Sequence, residues 1–463
     1  MTYARPETRL TGPAGATGAE RTAGLPRDSV IDHPVPQTLF YAILFTIPYF
    51  RFRDLPGPFF MKVDYLLTAT LLAIVIPAIV AKKLAPERLN ANIWLPLGVF
   101  MLINLAATLL SPYPDTAFLG MVVLIAFVIF MTINLVMLND RGVEVTLPAV
   151  LIASSGLNAA LASAGYYLGV DYFIEGGRGY GGTVSANNMA LMCVYVLPLA
   201  VYWTVLGSTP ARRLAGLAGA LLLLLGLVST ESRGGFVNLI AVALLLAGQF
   251  RHHFQPRYLG LVVGGISAVL LVIALFVPQE YIQRQASLQL LVEWVSGDGQ
   301  ELASDSALDR RAGYIQVALD AFPKHPILGT GPDTFKQIWA SSTQARWFEM
   351  AERPAHNTYL EVAVGTGLVG LAAFLALLFV SYRNYTSAER LLRQHGDETG
   401  AHLIGAYKIA FVSVLIYFLV KSGIDHKYFI LALPLSVAAL RYAKNRVASF
   451  ASNPSQPRET RQP

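Results

Sequence analysis

In the stretch RPAHNTYLEVAVGTGLVG, residues 353–370, Arg353, His356 and Asn357 stand directly before a run apolar enough to enter a membrane. A histidine titrates near neutral pH and can take a proton from a hydroxyl nucleophile. Asn357 can cap the helix that the apolar run begins. Glu361 falls about one turn further on, where an acidic group must face water or a bundle interior. Three other stretches carry reactive side chains in unusual settings. EGGRGYGGTVSANN, residues 175–188, offers glycine-rich backbone that can approach a ligand, with Arg178 as a fixed charge. TESRGGFVN, residues 230–238, sets Arg233 between two apolar runs, followed by Gly234 and Gly235, which let another backbone or a phosphate come close. A charge at the centre of a membrane span costs roughly 2.5–3.5 kcal/mol, and less near the interface. Arg233 is therefore either paired, with Glu231 as the nearby candidate, or useful. SALDRRAGYIQVALDAFPKHPILGTGPDTF, residues 306–335, opens a helical pattern with Arg310 and Arg311 and closes in a tight turn. Each stretch also has a plain reading: an anchored helix end, a floppy loop, an ion pair, a solvated helix face. The pairs Thr366/Gly370 and Ala363/Gly367, spaced by four, read as close helix packing.

The rest of the chain must place these groups. Of 463 residues, 54% are hydrophobic and 14% charged, with mean hydropathy +0.50. Soluble domains carry about 25% charged residues, so the composition points to a polytopic membrane protein. The net charge of +6 sits mainly in short loops between apolar runs, which is an orientation signal and not a nucleic-acid footprint. Cys193 is the single cysteine, inside an apolar run, so no intrachain disulfide or cysteine-based metal site exists. No Asp-x-Asp motif or His/Asp/Glu ligand cluster asks for a divalent ion, and no metal or other cofactor is expected.

A spanning helix needs roughly 20 apolar residues. The pattern predicts an all-α integral membrane protein of about twelve spans, near 37–50, 63–81, 92–111, 116–138, 145–168, 187–207, 213–230, 235–250, 258–278, 357–381, 403–421 and 426–441. Residues 1–35 are expected to be a disordered cytoplasmic tail and 36–278 to hold spans one to nine. Residues 279–356 form a helical cap of two to four helices on the outer face. Residues 357–441 hold spans ten to twelve, and 442–463 a second cytoplasmic tail. Lys and Arg in the short loops, among them Arg88, Arg141, Arg212, Arg383, Arg390 and Arg393, put both tails inside. The exception is the basic stretch RFRDLPGPFFMK on the outer side. All four chemistry-bearing stretches then share the outer face.

Arginines grip phosphate oxygens through a planar fork and stay charged. They can also stabilise charge that develops on a departing pyrophosphate. With a histidine to serve an incoming alcohol, the set suits transfer of a group from a lipid-linked pyrophosphate to a hydroxyl. A secondary transporter fits the composition nearly as well, although it should carry its polar groups near the midplane of broken helices. A scaffold for an envelope assembly would need no cavity joining Arg233 to His356.

The motifs themselves resemble the O-antigen ligase/polymerase superfamily of bacterial envelope enzymes. SRGG at 232–235, RRAGYIQVALDAFPKHPILGTGPDTF at 310–335 and AHNTYLEVAVGTGLVGL at 355–371 carry the likeness by their order, spacing and shared side. The resemblance implies a GT-C-type, metal-independent glycosyltransferase of the inner membrane with its active site on the periplasmic face. It would move a glycan from undecaprenyl pyrophosphate to an acceptor hydroxyl. The acceptor would be lipid A–core for an O-antigen ligase, or a lipid-linked repeat unit for a polysaccharide polymerase; some relatives glycosylate protein. Carried over by motif, His356 is the catalytic histidine, activating the acceptor or orienting the donor, and Arg233 contacts the donor pyrophosphate. Arg178 and Arg311 match further pyrophosphate-binding arginines, with Asn357, Glu361, Gly234 and Gly235 in support. The chain departs from the pattern at Asn187–Asn188, where Pro-Asn is usual, and at Ile315, where Trp is frequent.

Overall fold

The computed structural model describes residues 30–49, 63–81, 84, 86–251, 282, 285, 306–348 and 351–452. The expected span at 258–278, the basic stretch at 51–62, residues 279–305 of the expected cap apart from 282 and 285, and most of the expected tails lie outside the described residues. In chain order the described helices are α1 (Pro34–Thr46), α2 (Val63–Val80), α3 (Pro86–Leu89), α4 (Trp94–Leu109), α5 (Pro114–Met137), α6 (Leu147–Leu168), α7 (Ala186–Leu206), α8 (Pro210–Ser229) and α9 (Arg233–Phe250). They continue with α10 (Ser306–Ala321), α11 (Phe335–Ala340), α12 (Thr343–Trp347), α13 (Thr358–Gln394), α14 (Glu398–Tyr417) and α15 (Lys427–Ser452). A π-helical turn, Gly142–Thr146, leads into α6, and the hairpin β1 (Ile174–Glu175) and β2 (Arg178–Gly179) precedes α7.

Seven segments among the described residues are long and apolar enough to cross a membrane: Pro114–Met137, Gly142–Leu168, Ala186–Leu206, Pro210–Ser229, Arg233–Phe250, Thr358–Gln394 and Glu398–Tyr417. The chain is an all-α, multi-pass membrane protein. Helix α7 is its axis. Met189 to Pro198 are all buried, and α6, α8, α9 and α14 pack around them. A helix apolar on every side has no other stable place than a bundle interior or lipid. The outer helices keep large apolar residues exposed, such as Leu95, Phe118 and Leu244, as a lipid-facing surface must.

One end of the bundle holds ion pairs among the loops assigned to the tail side. Arg88 pairs with Asp32, and Arg446 Nε lies 3.1 Å from Asp397 Oδ2. Asn445 Nδ2 donates to Asp140 Oδ2 at 2.9 Å. Helix α1 begins inside the expected tail because His33 caps it and Pro34 occupies its first turn. It stops at Thr46, where Pro48 forbids continuation. Its 13 residues fall short of the roughly 20 that a span needs.

Two features of the last third differ from expectation. Helix α13 runs to Gln394, not 381, so Arg383, Arg390 and Arg393 lie on a helical extension and not in a loop. At 1.5 Å per residue its 37 residues outreach a hydrocarbon core of about 30 Å. The second difference is a break at Gly367, with φ 65° and ψ −168°. Only glycine adopts that conformation readily. The HPILGTG turn fills the break. Thr330 N donates to Val364 O at 3.0 Å, and Gly331 N to Gly365 O at 2.8 Å. Leu368 N donates to Pro326 O at 2.8 Å, and Val369 N to Ile327 O at 3.4 Å. Gly367 therefore serves a docked loop and not helix–helix packing. Irregular backbone at membrane depth is tolerable because protein groups satisfy it.

Candidate active site

The site grows from helix ends. Ser232 caps α9, accepting from Gly235 N at 3.2 Å, which fixes Arg233 as the first helical residue. Gly234 and Gly235 pack against protein: a Cβ at Gly234 would stand 2.9 Å from Val420 Cγ2, and one at Gly235 2.7 Å from Ala190 Cβ. They let the arginine-bearing end sit tight against α7 and the loop after α14. Arg178 leaves the first residue of β2. Gly176 and Gly177, at φ 55° and 77°, make the two-residue turn that a hairpin of this twist requires. The glycine-rich stretch is thus a built hairpin and not a floppy loop.

Asn187 links the two arginines. Its Oδ1 accepts from Arg178 Nη2 at 3.2 Å and from Ser232 Oγ at 2.9 Å, and its backbone carbonyl accepts from the Tyr417 hydroxyl. Arg178 Nε donates to Thr230 O at 2.7 Å. Glu231, beside them, accepts from the Tyr166 hydroxyl at 2.9 Å. The Asn-Asn at 187–188 therefore supplies the acceptor that orients Arg178.

Across the opening lies α10. Its inner face joins a small core in which Tyr314, Val317 and Ala318 meet Phe335 and Trp339 of α11, together with Ala355 and Val364. Tyr314 is the hinge of that packing, 4.4 Å ring to ring from Trp339 and 5.3 Å from His356. Packing of α10 turns Arg310 and Arg311 toward α9. His356 sits at φ 51°, in the left-handed region, just before Asn357 caps α13 by accepting from Leu360 N at 3.1 Å. Thr358 anchors the same segment, donating its N–H to Phe418 O at 2.8 Å and its hydroxyl to Lys421 O at 2.7 Å.

These pieces enclose a cavity of about 280 Å³ lined by Arg178, Arg233, Arg310, Arg311, Arg353 and His356, with Asn187, Glu231, Ala307 and Tyr314. The structure brings together Arg178, Arg233, Arg311 and His356, which lie up to 178 residues apart in sequence. It adds Arg310, Arg353, Asn187 and Tyr314, which the motifs did not single out as site residues. Glu361 lies elsewhere, in the wall of a second cavity, and Asn357 acts as a helix cap.

The electrostatics are lopsided. Five guanidinium groups face one carboxylate, Glu231. Burial, then Lys421 and the arginines 311, 353 and 310, hold the His356 imidazole well below the usual histidine range, at about 3. His356 is therefore neutral at physiological pH, with a ring nitrogen able to accept a proton. Burial and the surrounding cations thus take His356 below the near-neutral range expected of it from the sequence. A polyanion placed among the arginines would remove much of the repulsion that keeps the ring from protonating. Such a cavity suits a ligand with several phosphate oxygens next to a group that loses a proton.

Comparison with known proteins agrees with the motifs. Residues 218–375 match the O-antigen ligase family model, from within α8 to about two turns beyond the break in α13. The match includes Arg233, Arg311, His356 and Glu361, and leaves Arg178 outside. A segment of 117 residues is 27% identical to the exopolysaccharide production protein ExoQ of Rhizobium meliloti (strain 1021), covering 24% of this chain and 26% of that protein. The likeness thus spans about a quarter of that relative's length. Over residues 218–375, about a third of its length, the chain is thus similar to the O-antigen ligase family.

Proposed function

We propose that this protein transfers a glycan from undecaprenyl pyrophosphate to an acceptor hydroxyl at the periplasmic face of the bacterial inner membrane. The observation that carries the reading is the cavity in which five arginines surround His356 at the ends of membrane helices. The donor pyrophosphate would lie against Arg178, Arg233 and Arg311. The acceptor oxygen would attack the anomeric carbon. A new C–O bond forms, the bond from that carbon to the pyrophosphate oxygen breaks, and the departing oxygen keeps the electron pair. The arginines stabilise that growing charge. The acceptor proton would pass to the neutral ring of His356 and then to solvent. His356 would become a stronger base when the donor's negative charge offsets Lys421 and the arginines, so proton transfer is favoured only in the loaded site.

Lipid A–core is the first acceptor proposed, which makes the protein a ligase. A second reading, a polysaccharide polymerase extending a lipid-linked repeat unit, draws support from the exopolysaccharide role printed for the Rhizobium relative. A transporter is disfavoured because the break in α13 is filled by the 326–331 turn, while the charged cavity lies at one end of the bundle. The proposed divisions remain spans up to residue 278, a periplasmic cap over 279–356 and spans from 357. Deletion of the gene followed by analysis of envelope glycans tests the function. Lipid-linked polymer accumulating with bare lipid A–core means ligase, and single lipid-linked repeats accumulating means polymerase. Unchanged envelope glycans would reject both.

A further inference from the structure

A second cavity of about 300 Å³ adjoins the arginine-lined one and has the opposite character. The short segment 353–358 is the partition between them. Arg353 and His356 line the basic side, while Pro354 and Thr358 line the other. This second cavity presents the carboxylates Asp333, Glu361 and Asp425, and the amide of Asn104. Its remaining wall is apolar and includes the rings of Phe100 and Phe127. Asn104 is 1% exposed and donates Nδ2 to Phe100 O at 2.8 Å, and its Oδ1 accepts no hydrogen bond among the described residues.

The donor–acceptor inventory narrows what fits. Carboxyl and amide oxygens accept hydrogen bonds, so this wall favours an occupant rich in O–H or N–H donors. The apolar wall demands that the same molecule have an unpolar face. A sugar ring meets both conditions, with hydroxyls at its edge and C–H groups on its faces. A phosphate offers mainly acceptors, and no lysine or arginine is among the described residues that line this cavity. Asp333 is held by Lys336, 2.6 Å away, so Glu361 and Asp425 are the stronger candidates for hydroxyl contacts.

Lys421 ties the two cavities together electrostatically. Burial lowers its affinity for a proton, Arg311 acts in the same direction, and Asp425 and Glu361 act against them. Its carbonyl accepts from Thr358 in the partition. All three non-glycine residues held at left-handed φ among the described residues, Glu231, Asp333 and His356, line one or other cavity. Such conformations cost of order 1–3 kcal/mol and gather at functional sites.

We infer that the cavity between Asn104, Glu361 and Asp425 is the acceptor subsite, holding the uncharged sugar whose hydroxyl reaches past the 353–358 partition toward His356. The inference rests on the proposed glycan transfer and adds to it which wall binds the acceptor and what charge that acceptor carries. The test is steady-state transfer by the full chain in proteoliposomes, with purified lipid-linked donor and, in parallel, lipid A–core or lipid-linked repeat unit as acceptor. Asp425 is exposed on a loop, so Asp425→Asn and Asp425→Lys should fold, and thermal unfolding in detergent checks this. Asp425→Asn is expected to raise the acceptor KM at least tenfold while the donor KM stays within twofold. Asp425→Lys should raise acceptor KM further for a neutral acceptor. Glu361→Gln provides the second variant, on α13 instead of the loop. An unchanged acceptor KM in the folded variants, or a rise confined to the donor KM, overturns the acceptor assignment and leaves the transfer reading intact. Absence of transfer by the wild-type protein with either acceptor overturns both.

Discussion

Gly367→Ala tests whether the break in α13 builds the site. A methyl group there would stand 2.1 Å from Ile327 O and 2.2 Å from its carbonyl carbon, against backbone that cannot rotate away. The residue's φ of 65° and ψ of −168° add roughly 1–3 kcal/mol of strain for any side chain. Relief requires the 326–331 turn to withdraw, with loss of the Leu368–Pro326 and Val369–Ile327 hydrogen bonds. At about 1 kcal/mol net for each, that is about 2 kcal/mol more. The variant should therefore lose about 3–5 kcal/mol, and the turn should carry α10, with Arg310 and Arg311, away from His356. Gly98→Ala is the matched control. Gly98 lies inside α4 with nothing within 4 Å of the added carbon, so alanine should stabilise by about 0.5–1 kcal/mol. The assay is thermal unfolding in detergent, with glycan transfer measured on the same samples. A Gly367→Ala protein that unfolds with the wild type and transfers at its rate would refute the reasoning.

Two further outcomes follow from the cavity. Arg233→Ala should weaken donor use about 10- to 100-fold, the equivalent of a charged hydrogen-bond pair. Arg233→Lys should fall between it and wild type, because the charge stays and the fork is lost; equal and harmless effects in donor-KM measurements would make Arg233 an anchor. The second concerns pH. His356 has its folded-state value lowered to about 3 from an ordinary 6.5, so folding favours the neutral ring. Stability is then fully present above about 6.5 and falls as pH drops toward 3, by up to several kcal/mol. His356→Gln has no such titrating ring, so wild type should lose stability relative to it across this window, as followed by chemical unfolding. A stability difference independent of pH would contradict the burial and charge assigned to the ring.

Much of the bundle is legible because a membrane span is set by local composition. Roughly 20 apolar residues suffice, and the segments at 116–138, 187–207 and 235–250 lie within a few residues of α5, α7 and α9. The break in α13 is not legible in the same way. Gly367 in its apolar run looks like any packing glycine, and what breaks the helix there is the carbonyl of Ile327, forty residues earlier. The extension to Gln394 is hidden because Arg383, Arg390 and Arg393 imitate a polar loop. In the site, arginines and a histidine stand out against apolar surroundings, so Arg178, Arg233, Arg311 and His356 could be found once topology put them on one face. Asn187, Tyr314 and Lys421 could not. Their importance lies in what they touch: the Arg178 guanidinium, the His356 ring, and the charges on both sides of the partition. Asp425 reads as one more polar residue in a short loop until the cavity beside it is seen.

The most direct test of the central claim is glycan transfer by His356→Ala with purified lipid-linked donor in proteoliposomes, at a protein level matched to wild type. Transfer should be lost while undecaprenyl pyrophosphate still binds, because the arginines remain. Transfer at the wild-type rate would contradict it.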